Sequence, residues 1–271
     1  MRVITDKELL QLQLDILHDV DSFCRKNNIE YFLVGGTGIG AVRHGGYIPW
    51  DDDIDIGMTR PNYDKFLSTF NGTFSNLKVY APEIDLEYYA PYANVCDTRT
   101  LLHEGPNGHR KDDIGVKIDI FPYDGVPSDD YEFELLRKEA NDIVNRCYIK
   151  RYLLGEVPHK TLRIICSVLF RKMKELPKSY SSLQKQMIDL AQRTPYQQAD
   201  YLEKIVFPYQ NNKPCKKELY ESYCDMKFEN LTVRNLSRYD EYLRSVFGDY
   251  MQLPPEEQRV AHHGFVAYWK D

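Results

Sequence analysis

The stretch Asp51-Asp52-Asp53-Ile54-Asp55-Ile56 places four acids in six residues and interleaves the last of them with isoleucines. The alternation reads as a strand whose Ile54 and Ile56 enter a core while Asp53 and Asp55 share the opposite face. Two residues along a strand span roughly 6–7 Å, so both carboxylates can serve one Mg²⁺ or a metal pair. Without a cation they repel, and at least one tends to keep its proton. The stretch therefore points to metal-assisted chemistry on phosphates. An EF-hand loop does not explain it: with Asp51 first, position 6 is Ile56 where glycine is needed, and position 12 is Asn62 where a bidentate Glu belongs.

Other parts of the chain repeat the alternation between sheet and helix. Thr5-Asp6-Lys7-Glu8 is a capping box, and Leu9, Leu12, Ile16, Val20 and Phe23 follow it at helical spacing. A short strand, Tyr31–Val34, ends at Gly35-Gly36, and a helix can begin from Thr37 to Arg43. The Ile54–Met58 strand precedes a helix opened by Arg60-Pro61, with Pro61 suited to its first turn. Short strands are expected at Leu77–Tyr80 and Tyr92–Val95. Val116–Phe121 alternates and is expected to stop at Pro122. Helical patterns dominate from Asp129 to about Arg193; a hairpin (Met226–Val233) and a helix (Tyr239–Phe247) follow. This order predicts an α+β fold: a mixed sheet flanked by helices, with a helical insertion. One domain over 1–271 is expected, with a core at about 30–127, the insertion at about 128–200 and a C-terminal part at 201–271.

Composition excludes some functions. The net charge of −6 argues against a general nucleic-acid binder. The six cysteines are scattered without a C-x-x-C pair, which disfavours a zinc site or a disulfide framework. The N-terminus lacks the apolar block of a signal peptide, and Leu162–Phe170, interrupted by Arg163, is too short to span a bilayer. A cytoplasmic protein is expected.

A strand, a Gly35-Gly36 turn and a helix start can cradle a phosphate, because glycine admits the ligand to the backbone and free N–H groups face it. Thr37 can add a hydroxyl. A tight turn alone explains the glycines equally well, since neither G-x-G-x-x-G nor the P-loop pattern is matched. Asp119, within Ile118-Asp119-Ile120, is the natural third carboxylate and shares a face with Lys117. Arg43 and His44, about two helical turns beyond the glycines, suit phosphate binding or proton transfer, or are simply a surface helix end.

Several of these segments together resemble the LicD family. They are Tyr31–Val34 with Gly35-Gly36-Thr37, Gly40-Ala41-Val42-Arg43-His44, and Gly46-Tyr47-Ile48-Pro49-Trp50 running into the acid stretch. The likeness continues through Ile118–Pro127, then Tyr239–Leu243, Phe247–Met251, Leu253-Pro254-Pro255 and His262-His263. The resemblance implies a nucleotidyltransferase-like fold and transfer of phosphocholine from CDP-choline to a cell-surface glycan, a teichoic-acid-type precursor or a lipid-linked glycan. It implies Mg²⁺ or Mn²⁺ at Asp53, Asp55 and Asp119, with Gly35, Gly36, Thr37, Arg43, His44, Trp50 and Lys117 binding substrate. Choline would need an aromatic cage, for which Trp50, Tyr88, Tyr89, Tyr92 and Trp269 are candidate walls or ordinary core residues. One Asp carboxylate, or less readily His44 or His263, would take the acceptor's proton.

Lys160, Arg163, Arg171 and Lys174 would form a basic stripe on a helix over 160–174. It reads as peripheral contact with an anionic membrane, or as a solvated helix side. Alternatives to the phosphocholine reading are transfer of another CDP-linked group, an Asp-x-Asp glycosyltransferase, and a silent glycan- or metal-binding protein.

Overall fold

The computed structural model describes residues 1–104, 114–151, 179–208, 213–260 and 265–271. In chain order the first elements are β1 (Arg2–Val3), α1 (Asp6–Lys26), β2 (Phe32–Leu33), α2 (Gly35–Arg43), β3 (Asp55–Thr59), α3 (Arg60–Thr69), β4 (Leu77–Tyr80), β5 (Ala93–Asp97), β6 (Thr100–Glu104) and β7 (Lys117–Val126). There follow α4 (Asp130–Arg151), α5 (Tyr180–Ala191), β8 (Tyr201–Glu203), β9 (Cys215–Lys216), β10 (Tyr223–Phe228), β11 (Leu231–Leu236), α6 (Tyr239–Phe247) and β12 (Phe265–Trp269). The fold is α+β.

The main sheet runs β2-β3-β7-β5-β4, with β8 joined to the far end of β7 and β9 to β8. Among the described strands only β3 and β7 pair in parallel. Strand alternation divides the sheet's side chains between two cores. Leu33, Ile56, Met58, Ile118 and Ile120 pack with Leu12, Ile16, Val20 and Phe23 of α1 and with Tyr63 and Phe66 of α3. On the other face Phe32, Phe121 and Tyr123 meet Leu202, Tyr220, Tyr242 and Leu243 from the C-terminal third. Each of these fully buried side chains stabilises the fold by about 1.5–3 kcal/mol relative to exposure. A third cluster joins Phe133, Leu136 and Ile143 of α4 to Leu183, Met187 and Leu190 of α5.

The capping box forms as its sequence requires. Glu8 N–H donates to Thr5 Oγ1 at 3.3 Å and Thr5 N–H donates to the Glu8 carboxylate at 2.9 Å. The expected end of a strand at Pro122 is not observed, because β7 continues to Val126. Asp119 N–H donates to Ile54 O on the β3 side, so the even-numbered amides of β7 face the other way. On that other side β5 pairs up to Ile120 and β8 begins at Asp124. Pro122 thus falls in the gap where no donor is needed.

A separate three-stranded sheet, β1-β12-β6, ties the first residues to the last described ones. Among the described residues no helix is long and apolar enough to cross a membrane. The basic stripe from Lys160 to Lys174 and His263 lie outside the described residues.

Candidate active site

The register of the parallel pair sets Asp55 of β3 beside Asp119 of β7, and β5 sets Asn94 on the other side of Asp119. Neighbouring strands lie about 4.8 Å apart, so these three polar side chains form one row. The row occupies the face that carries Phe121 and Tyr123 further along β7, because side chains two apart share a face. Asp53 is not part of it. The strand begins at Asp55, which leaves Asp53 half-buried in the loop just before β3. It still raises the Asp55 carboxyl electrostatically.

Each member of the row is held from a different direction. Lys117 Nζ donates to Asp119 Oδ1 at 2.7 Å, and Asn94 Nδ2 donates to the same oxygen. The Tyr88 hydroxyl donates to Asn94 Oδ1, which fixes the amide. Asp55 N–H donates to Thr37 Oγ1 at 2.9 Å, tying the start of α2 to the start of β3. Thr37 therefore positions Asp55 and keeps its O–H to donate. Asp55 Oδ1 is buried without a hydrogen-bond partner. Burial lifts the Asp55 carboxyl well above the usual range, Asp53 and Asp119 add to this, and Lys204 and Lys117 oppose it. Such a buried, orphaned oxygen on a half-buried acid is costly, so it marks a place built for something else.

The glycine pair makes the close approach possible. Gly35 has φ +59°, a left-handed conformation that glycine adopts without strain. A Cβ on Gly36 would lie 2.0 Å from Asp51 Oδ2 and would force that carboxylate to move. The N-terminus of α2 is thereby packed directly against the acid loop.

Arg43, His44 and Trp50 form a second group with Arg259, a residue the sequence reading did not single out. Arg43 Nη1 donates to Tyr250 O at 2.7 Å and Gln252 O at 3.3 Å. The Arg259 guanidinium lies 5.8 Å from the Trp50 ring centroid, and the His44 ring stands edge-on to that indole at 6.4 Å. Desolvation and then the Arg43 charge lower the His44 pKa, which favours neutral imidazole. With Nδ1 at 3.4 Å from Arg43 Nε as its acceptor, the neutral ring carries its proton on Nε2 and is better placed to donate than to act as a base.

Of the candidate cage walls, Tyr88, Tyr89 and Tyr92 gather on the Asp119 side. Tyr88 and Tyr89 rings are 4.8 Å apart, and Tyr92 packs on Phe121 at 4.4 Å. Trp269 goes elsewhere: it lies on the small sheet between the Arg2 and Arg99 guanidiniums, 5.9 and 5.6 Å away.

Asn94, Lys204 and Glu229 also escaped the sequence reading. Asn94 and the Glu203-Lys204 pair each interrupt an apolar run, which is a usable signal for a buried polar role. Glu229 Oε1 accepts from Tyr47 N–H at 3.0 Å and so holds the loop that leads to the acids. Its position at the hairpin tip gives no such signal. Among the described residues no three His, Cys or acidic side chains already converge as a metal centre. What exists is a two-acid row with Asp53 alongside.

Comparison with known proteins completes the description. Residues 28–139 match the model for the LicD/FKTN/FKRP nucleotidyltransferase domain. Over 99% of its length, and 99% of the relative's, the chain is 31% identical to the lipopolysaccharide cholinephosphotransferase LicD of Haemophilus influenzae. The chain belongs to the LicD family. The whole-chain match carries that conclusion, and it extends the family likeness through the segment between 128 and 200, where the sequence motifs are sparse. Shorter likenesses cover 55 residues of an uncharacterized Rickettsia typhi protein at 47% identity (20% of this chain, 18% of that one). Another covers 30 residues of the human ribitol 5-phosphate transferase FKRP at 53% (11% and 6%).

Proposed function

We propose that this LicD-family protein transfers phosphocholine from CDP-choline to a hydroxyl of a cell-surface or lipid-linked glycan and releases CMP. Its family membership makes it a transferase of a phosphate-bearing group onto a glycan; the donor and the metal are the finer parts of the proposal. The observation that carries it is the side-by-side placement of Asp55 and Asp119, with Asp55 Oδ1 buried and unsatisfied.

These residues fit a divalent cation, Mg²⁺ or Mn²⁺, which Asp55 and Asp119 would hold with Asp53 from the loop. When bound, such an ion neutralises phosphoryl oxygens and the departing CMP. The protein's own groups do the rest. Lys117, fixed on Asp119, brings a positive charge to the edge of the row. The Gly35-Gly36 turn exposes the start of α2, whose N–H groups suit the diphosphate. Arg43, His44 and Arg259 supply positive charge and N–H donors around Trp50 for phosphate oxygens. A carboxylate of the acid loop takes the acceptor's proton. Tyr88, Tyr89 and Tyr92 offer ring faces on the Asp119 side for a quaternary ammonium, which has no N–H to donate and is attracted by ring faces.

The test is CMP release. The protein is incubated with CDP-choline, CDP-ethanolamine and a CDP-polyol, with a glycan acceptor, in Mg²⁺, Mn²⁺ or EDTA. Release with CDP-choline and a divalent ion supports the proposal. Release from another CDP donor moves the donor assignment, and undiminished release in EDTA removes the metal.

A further inference from the structure

Lys204 is a lysine where none is expected. It is 5% exposed and directly follows β8, which pairs antiparallel with the tail of β7. Its ammonium lies 5.1 Å from the Phe121 ring centroid and 5.5 Å from that of Phe207. Phe121 is two residues beyond Asp119 on β7, hence on the acid face of the sheet. Desolvation lowers the Lys204 pKa, and the negative charges of Asp55 and then of the neighbouring Glu203 oppose this. Two aromatic faces thus hold a dehydrated cation over the sheet face that carries the acid row, an arrangement that costs desolvation and needs a reason.

We propose that Lys204 is a positioning residue of the phosphotransfer site: a resident counter-cation that offsets the repulsion between Asp55 and Asp119 and weakens their grip on a divalent ion. The inference rests on the metal reading above. A fixed positive charge near the row acts on both charges of a divalent cation, so it lowers metal affinity. The same charge favours the anionic diphosphate. The site is thereby tuned to bind metal and nucleotide together and to release both after transfer. A lysine that only filled a gap in the aromatic packing would have no such effect.

The sign of one measurement separates these roles. Mn²⁺ binding to the nucleotide-free protein is measured from the electron paramagnetic resonance signal of free Mn²⁺, for wild type and for Lys204→Met, which keeps length and removes charge. About tenfold tighter binding in Lys204→Met is expected, together with a raised KM for the CDP donor. Lys204→Gln provides a second uncharged variant should Lys204→Met fail to fold. Unchanged or weaker Mn²⁺ binding in the folded variant overturns the inference, because lost packing loosens a site and does not tighten it. Wild type that binds no Mn²⁺ overturns the metal reading itself, which is a different result.

Discussion

Replacing Asp55 by Asn should stop turnover and yet raise the stability of the metal-free protein. Asp55 and Asp119 face each other across one ladder spacing, about 4.8 Å. Two unit charges about 5 Å apart at an effective dielectric constant near 20 repel by roughly 3 kcal/mol. Lys117, 2.7 Å from Asp119, and Lys204 offset part of this. The new amide keeps Asp55's shape but inherits its unsatisfied position, which costs about 1–3 kcal/mol when no partner is found. With the Asn94 row close by to offer partners, a net gain of about 1 kcal/mol is expected, or about 2–4 °C in Tm for a chain of this length.

Differential scanning calorimetry across pH tests the cause as well as the sign. Burial raises the Asp55 pKa above its unfolded value. The folded state then holds that proton longer, so Asp55's contribution is full below the ordinary carboxylate range and is lost as pH rises through its folded value. The advantage of Asp55→Asn should accordingly vanish near pH 3 and grow toward neutral pH. Adding Mn²⁺ should raise the Tm of wild type and leave the variant almost unmoved. An Asn variant that melts below wild type at neutral pH, or that keeps the full Mn²⁺ shift, would refute the reasoning.

Other changes follow from the same geometry. Arg60 makes a buried two-point pair with Asp124 at 2.6 and 2.8 Å, so Arg60→Met should cost about 3–5 kcal/mol in urea unfolding by stranding Asp124. Burial lifts the Glu203 pKa from 4.5 to about 7. Its stabilising contribution is full below the unfolded value and is lost as pH rises through about 7. Glu203→Gln should remove about 3 kcal/mol of the fall in stability between pH 4 and pH 8, seen as a flatter calorimetric profile. Glu229→Ala frees Tyr47 N–H, and should lower kcat/KM about tenfold with a loss near 1 kcal/mol in stability, while Glu229→Gln retains most of both in a CMP-release assay.

The sequence made legible whatever its local pattern controls. Thr5 and Glu8 announced their cap, and Leu77–Tyr80 and Tyr239–Phe247 form as their spacing requires. The acid–isoleucine alternation correctly assigned Ile56 to the core and Asp55 and Asp119 to the opposite face. Asp53, expected to share the face of Asp55, lies in the loop just before β3, because alternation alone does not say where pairing begins. Non-local features stayed hidden. Strand β1 has two residues and no pattern of its own, and it exists only because β12 pairs with it. Asn94 joins the site through register with Asp119, and Lys204 and Arg259 arrive from the far end of the chain. Pro122 misled for the same reason: whether its missing N–H matters depends on the edge it faces, which is a property of the sheet.

The two ends of the β3–β7 pair divide stability from chemistry. At one end Asp55 and Asp119 stand side by side near the strand starts, with an orphaned oxygen and mutual repulsion. Toward the other end Arg60, at the start of α3, grips Asp124, donates through Nη1 to Glu83 Oε1 at 3.0 Å and lies 4.8 Å from the Tyr63 ring centroid. A buried, fully engaged arginine is a rigid clamp between α3 and β7. It holds the register that the acid row depends on, because a one-residue slip of β7 would turn Asp119 to the isoleucine side. Strain at a functional site persists only where the surrounding structure over-determines it. The Arg60–Asp124 pair supplies that constraint from β7 and from the residue that follows β3. Relaxing the clamp should therefore weaken Mn²⁺ binding even at temperatures where the protein remains folded. A folded Arg60→Lys protein with wild-type Mn²⁺ affinity would show that the acid row keeps its register without help from the far end.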